Sequence, residues 1–182
     1  MLESFGVRKA VFGGLALSAW DHSRSTKDVD ILFDPDGHSL HSILAKFGSD
    51  DFRAKGKTAL IRVDDAEFIQ VLYEPRDAMM AIQVDLLIAG SPFDAQALAR
   101  SVELKVPELG RALAVVRCEE LIVMKLRAGR LIDRADVAAL LRANRDALDM
   151  DHLGTWIRHF RLQRTFHESW AEASPGEQPP IA

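Results

Sequence analysis

Apolar and polar residues alternate along the chain in two periods, and the change between them marks out the elements. Val29, Ile31 and Phe33 alternate with Asp28 and Asp30, and side chains two apart on a strand share a face. The spacing therefore predicts a strand with one apolar and one acidic face. A second strand is predicted over 81–89, with Ile82, Val84, Leu86 and Ile88 on one side and Gln83, Asp85 and Leu87 on the other. Ala10 to Phe12 reads as a short apolar strand that runs into Gly13-Gly14 and a helical segment from Leu15. Leu40, Ile43, Leu44 and Phe47 recur at helical spacing and predict a packing helix over 38–47, after the turn Asp34-Pro35-Asp36-Gly37.

The middle of the chain reads as a polar loop over 50–57, then short elements over 59–63 and 68–73 separated by Asp64-Asp65. Gly90-Ser91-Pro92 closes the 81–89 strand, a helix covers 93–100, and strands follow over 102–106 and 112–116. From there the period is helical. Leu121, Met124 and Ala128 form a stripe on a helix over 119–128, another helix runs from 134 to about 144, and a last one spans 149–172 with room for a break. Strands interspersed with helices up to 116, and helices alone beyond, are read as an α+β class. The expected division is a core over 1–110, a helical lobe over 111–172 and a frayed tail, ASPGEQPPIA, over 173–182.

Composition narrows the picture. With 182 residues, 48% hydrophobic and 27% charged, the chain has enough apolar side chains for one domain or two small lobes. A net charge of -4 argues against coating nucleic acid by bulk charge, although local basic surfaces remain compatible with it. Cys118 is the single cysteine, which excludes an internal disulfide and a cysteine-based metal cluster and suits a reducing cytoplasm. Arg8-Lys9 before AVFGGLALSA imitates a secretory leader, but Glu3 and two glycines in the apolar run argue against one. No run reaches the length of a membrane span, so no membrane partner is expected.

The chemistry gathers in the stretch from Val11 to Phe33. Two carboxylates about 4 Å apart repel by about 4 kcal/mol at an effective dielectric near 20, so the Asp28/Asp30 face calls for either a cation with oxygen preference, Mg²⁺ above all, or plain solvation on an edge strand. Gly13-Gly14, between a strand and a helix, lets backbone N–H groups approach a phosphate, or simply makes a tight turn. Asp85 is costly in so apolar a strand unless it is paired, metal-bound or half-exposed. Lys125 interrupts its helix stripe and either snorkels to solvent or reaches an anion as a point charge. His38 and His41 lack further ligands nearby. Arg158, Arg161 and Arg164 beside Trp156, Phe160 and Phe166 read as a packed face with solvated arginines, or as a strip for RNA.

Phe12-Gly13-Gly14, a spacer, and Asp28-Val29-Asp30-Ile31-Leu32 together resemble the first motif of the nucleotidyltransferase superfamily of the DNA polymerase beta type. The lead-in Arg24-Ser25-Thr26-Lys27 is similar to the R-x-T-x-D-h-D form of its small bacterial AbiEii toxin-like branch. Gly14 stands where many members carry serine, so that hydroxyl is absent. Asp85 in VDLL sits where the family has a third carboxylate, and EELIVMKLRAGRLIDRADVAALL is similar to its downstream block.

The resemblance implies a nucleotidyltransferase fold, with a small mixed β-sheet flanked by helices and a helical C-terminal lobe. It implies Mg²⁺ held by Asp28, Asp30 and Asp85, catalysis by these three with Lys125, and a nucleoside triphosphate (NTP) donor contacted by Gly13, Gly14, Arg24, Thr26, Lys125 and Asp136. Asp133 is expected to be a helix cap. The implied reaction moves a nucleoside monophosphate to an acceptor hydroxyl on RNA, tRNA above all, or on a protein, with an antitoxin protein as partner in the cytoplasm. The alternatives are an antibiotic-modifying transferase, for which an acidic pocket would be diagnostic, and a non-catalytic nucleotide-binding module, against which the intact aspartate set argues.

Overall fold

A computed structural model describes residues 2–47, 51–56, 60–63, 66–76, 79–106 and 111–181. Their eight strands form one mixed sheet. The strands are β1 (Lys9–Phe12), β2 (Asp28–Phe33), β3 (Phe52–Ala54), β4 (Leu60–Val63), β5 (Ala66–Tyr73), β6 (Ile82–Ile88), β7 (Val102–Val106) and β8 (Arg111–Val115). Seven α-helices flank them: α1 (Gly13–Leu17), α2 (Leu40–Phe47), α3 (Pro92–Arg100), α4 (Cys118–Ala128), α5 (Leu131–Asn144), α6 (Met150–His159) and α7 (Gln163–Ala173).

The sheet order is β3-β5-β6-β2-β1-β8-β7, with β4 also pairing β5. β2 lies antiparallel to β1 and parallel to β6, and the register sets Phe12 opposite Asp30, Asp30 opposite Asp85, and Asp85 opposite Gln70 of β5. Residues paired across a sheet point to the same face, so the period-two pattern of each strand is carried across the neighbours. On one face Phe33, Ile69, Val71, Val84, Leu86 and Ile88 join Ile43 of α2 and the N-terminal Leu2 and Val7. On the other, Leu32, Leu87 and Val115 pack under the helices, against Leu121, Ile122, Val137, Leu141, Ile157 and Phe166.

Several boundaries move. The segment expected as a loop over 50–57 contains β3, whose three residues pair with the outer edge of β5 and carry no long-range signal of their own. The expected separation at Asp64-Asp65 lies outside the described residues. Residues 111–115 belong to the sheet, since β8 pairs with β7 and β1, so the helical part starts at Cys118 rather than at 111. Cys118 is a buried filler, and burial beside Glu119 and Glu120 pushes its thiol pKa up. The break expected in the last helix falls at 160–162, where Arg161 takes φ +56° between α6 and α7. Ser91 caps α3 by accepting from the Asp94 N–H at 3.2 Å, and Pro92 opens the helix.

The tail expected to fray is docked. Ile181 is 3% exposed within the main core, its carbonyl lies 2.8 Å from Nε2 of His167, and Glu177 pairs with Arg145. One isoleucine in an otherwise polar, proline-rich segment is a weak sequence signal, yet burying it is worth about 2 kcal/mol. Replacement Ile181→Ala is therefore expected to cost about 2 kcal/mol in urea or thermal unfolding. An unchanged midpoint would mean that the tail is not held.

Candidate active site

Gly13 ends β1 and opens α1 with φ +65°. A Cβ built there would lie 1.8 Å from Oδ2 of Asp30, so only glycine permits the close approach of this turn to the acidic face. A Cβ at Gly14 would lie 2.7 Å from the Thr26 side chain. Thr26 thus fills the space that a serine at position 14 would need, and its Oγ1 donates to Oδ1 of Asp28. The hydroxyl missing from position 14 is replaced, in space, by one from the spacer.

The register of β2 and β6 brings the aspartates together. Asp28, Asp30 and Asp85 each offer a carboxylate oxygen, and the three atoms lie within 4.8 Å of one another. Burial, then the charges of Asp28 and Asp85, push the Asp30 pKa up to about 6, against the opposing pull of the Gly14 N–H and the Lys125 ammonium. Crowded carboxylates suit a divalent cation with oxygen preference, and these three side chains are the only such group among the described residues. Asp85 is oriented by two amides: Gln70 Nε2 donates at 3.1 Å and Gln83 Nε2 at 2.8 and 2.9 Å.

A second, buried network backs the site. Lys125 is 4% exposed and does not snorkel; its Nζ donates to Asp133 at 3.0 Å and to Asp136 at 2.8 Å. Asp136 also accepts from Arg24 Nε and Nη2, both at 3.0 Å, and faces His22 Nε2 at 3.1 Å. Asp133 receives the Arg130 guanidinium at 2.6 Å and its backbone N–H at 3.3 Å; α5 begins at Leu131 rather than at 134, so Arg130 is the N-cap and Asp133 closes the capping box from the first turn while anchoring the lysine as well. Burial raises the pKa of each acid, but hydrogen bonds outweigh it and hold both below the usual carboxylate range: Arg130 and Lys125 for Asp133, Arg24 and Lys125 for Asp136. Asn144 and Val116 secure the spacer further at Trp20: Asn144 Nδ2 donates to the Trp20 carbonyl at 2.9 Å, and the Val116 carbonyl accepts from Trp20 Nε1 at 3.0 Å. The loop carrying Arg24 and Thr26 is thereby fixed by α5.

These parts enclose a cavity of about 870 Å³. Gly13, Gly14, Arg24, Thr26, Asp28, Asp30, Asp85 and Lys125 all line it, whereas Asp136 lies behind Arg24 and Lys125. Sequence reasoning did not place Gln70, Phe68 and Ile61 from β5 and β4, nor Lys27 and Arg127, on this wall, and Phe160, read as part of a packed face or a strip for RNA, lines it too. Arg127 lies 4.3 Å from the Phe160 ring centroid. Gln70 is recognisable only through its pairing with Asp85, which no local pattern announces. The aromatic part of the 156–166 strip is committed to packing, with Phe93 5.0 Å from Trp156 and 5.5 Å from Phe160 by ring centroids. His38 packs edge-on against Phe5 rather than joining a metal cluster.

A glycine-lined strand-to-helix turn facing three carboxylates on adjacent strands, backed by buried cations, defines a nucleotidyltransferase. The family model described as "Nucleotidyl transferase AbiEii toxin, Type IV TA system" matches residues 4–177, and the chain belongs to that family. Solved structures confirm the fold alone. ANT(2")-Ia, in complex with adenylyl-2"-tobramycin, superposes with a TM-score of 0.52 at 13% identity over 89% of this chain and 91% of its own. A putative nucleotidyltransferase from H. pylori gives 0.50 at 18% identity over 93% and 76%. No curated protein sequence matches the chain. Among the described residues no helix is long and apolar enough to cross a membrane.

The raised pKa of Asp30 has a definite sign. In metal-free protein its contribution to stability is fully present below pH 3.8 and is lost as the pH rises through about 6. Asp30→Asn is therefore expected to stabilise metal-free protein at pH 7 by about 1–3 kcal/mol, several degrees in melting temperature. The gain should vanish near pH 4 and shrink when Mg²⁺ is added to both proteins. A destabilised Asp30→Asn in EDTA at pH 7 would show that the carboxylates are not in mutual repulsion.

Proposed function

We propose that this nucleotidyltransferase moves a nucleoside monophosphate from an NTP to a hydroxyl of RNA, in a toxin–antitoxin setting with a separate antitoxin protein as partner. The observation that carries the reading is the convergence of Asp28, Asp30 and Asp85 against the Gly13-Gly14 turn. Asp28, Asp30 and Asp85 would hold Mg²⁺, which supplies charge neutralisation and alignment of the phosphates when bound. The Gly13-Gly14 turn takes the β- and γ-phosphates, while the Gly14 N–H also bonds Asp30 and the Thr26 hydroxyl also bonds Asp28. Arg24 and Lys125 face the triphosphate while Asp136 holds both in place from behind.

In the transfer step the acceptor oxygen bonds to the α-phosphorus, the bond from that phosphorus to the oxygen bridging the β-phosphate breaks, and pyrophosphate leaves with the electron pair. The acceptor's proton passes to Asp85, whose orientation is set by Gln70 and Gln83. Positioning and charge compensation carry most of the work, since the protein makes no covalent bond to the transferred group.

Charge favours RNA over a cationic drug. Among the described residues the cavity is lined by Arg24, Lys27, Lys125, Arg127 and Arg130, and the acids that line it there are the three clustered aspartates. A polycationic aminoglycoside needs carboxylates beyond those three, and the described wall offers none, whereas a phosphate backbone can meet the lining cations, of which Arg24, Lys125 and Arg130 are also held by Asp133 and Asp136. The deciding experiment incubates the protein and Mg²⁺ with α-labelled triphosphates and, in parallel, total RNA, lysate protein and tobramycin. Label is expected in RNA; label confined to protein or to tobramycin would overturn the acceptor assignment.

Asp28→Ala, Asp30→Ala and Asp85→Ala are each expected to abolish transfer while leaving the fold intact by circular dichroism. Near-normal turnover in any one would remove that residue from the site. Lys125→Met has two effects. It should weaken triphosphate binding, and because it strands two buried carboxylates it should also cost about 3–5 kcal/mol of stability. A variant as stable as the parent would contradict the buried network.

A further inference from the structure

The sheet sets the parts of the cavity in a line, and the line distinguishes donor from acceptor. From β1 outward the order on the cavity face is the Gly13-Gly14 turn, Asp30 on β2, Asp85 on β6, and Gln70 on β5. One rung along, Leu87 of β6 pairs with Phe68 of β5, which pairs with Ile61 of β4. Strands lie about 4.8 Å apart, so this shelf begins on β6, the strand of Asp85 itself, roughly 10 Å from the strand that feeds the glycine turn, and extends outward over β5 and β4. Phe68 and Ile61 are half-buried, Leu87 is 8% exposed, and all three line the cavity without a charged side chain between them.

Phosphoryl transfer proceeds in line, with attacking and leaving oxygens on opposite sides of phosphorus. The inference rests on the assignment of Gly13 and Gly14 to the leaving phosphates. With those phosphates on the β1 side, the attacking hydroxyl has to arrive from the β5 side, past Gln70 and across the shelf. We propose that the Leu87–Phe68–Ile61 shelf is the acceptor subsite and that it takes the flat ring of the hydroxyl-bearing terminal nucleoside of an RNA strand. The shelf is apolar and carries an aromatic ring, and base–aromatic stacking needs no hydrogen-bond code. Among the described residues the cations of the cavity lie on the spacer, α4 and just before α5, and Leu87, Phe68 and Ile61 themselves offer nothing to a polycation or to a phosphate. Phe68 is in this reading a specificity-determining residue, and Gln70, bonded to Asp85 at 3.1 Å, orients the proton acceptor at the shelf's inner end.

The test compares two short RNAs that are identical except that one ends in a nucleoside and the other in an abasic ribose bearing the same hydroxyl. Each is assayed with α-labelled triphosphate and Mg²⁺ against the parent, Phe68→Leu and Phe68→Tyr. Phe68→Leu keeps an apolar side chain of similar bulk, which protects the fold, and Phe68→Tyr restores the ring. The abasic end is expected to lose about 10- to 100-fold in kcat/KM. Phe68→Leu should raise the acceptor KM by a similar factor on the nucleoside-ended RNA only, leave the triphosphate KM unchanged, and be rescued by tyrosine. Equal labelling of both RNAs, or a Phe68→Leu effect that falls on the triphosphate KM, would overturn the acceptor shelf while leaving the enzyme assignment standing. If neither RNA is labelled while protein or tobramycin is, the RNA assignment fails and the shelf with it.

Discussion

The parallel pairing of β2 with β6, in the register that sets Asp30 opposite Asp85, is the constraint on which the site depends. Side chains alternate faces along a strand, so a slip of one residue would send Asp85 to the opposite face and leave two carboxylates where three now meet. The register is enforced from the other side of the sheet. Phe33, Val84, Leu86 and Ile88 share a core there with Ile43, and the same slip would expose that row to water. Apolar packing on one face therefore fixes chemistry on the other, and it does so against the electrostatic repulsion of the acids.

The helices perform a related task at longer range. Lys125 on α4 and Arg24 in the spacer are both cations aimed at the cavity, and both are held by Asp136 of α5. Two buried acids kept ionised by three cations form a network that would be expensive to leave half made. Its benefit is placement. In the spacer between Gly14 and Asp28, His22, Arg24, Ser25, Thr26 and Lys27 face the site or its backing, yet beyond Trp20 it has no helix or strand, and α5 ties it down through Asp136 and Asn144.

The parts of the fold that could be read along the chain are those whose physics is local. Gly13-Gly14, Asp28 and Asp30 announce themselves because strand alternation and glycine geometry act within a few residues, and Asp85 stands out as an acid in an apolar strand. Resemblance to the AbiEii family joined them, and the family match over residues 4–177 agrees. What stayed hidden depends on pairing between distant segments. β3 exists because β5 has an open edge, Gln70 matters because it faces Asp85, and Ile181 is buried because α7 offers it a place. Lys125 was ambiguous for the same reason: whether it reaches solvent or stays inside is decided by Asp133 and Asp136, which its own helix does not contain. The missing hydroxyl at position 14 was legible; its replacement by Thr26 needed coordinates.

The account is tested most directly by crystals grown with Mn²⁺ in place of Mg²⁺ and a non-hydrolysable NTP, with anomalous scattering used to locate the ion. The account predicts an anomalous peak bounded by the carboxylates of Asp28, Asp30 and Asp85, with the outer phosphates against Gly13 and Gly14. An ordered nucleotide whose cation lies away from these carboxylates, or whose phosphates lie away from the glycine turn, would contradict it.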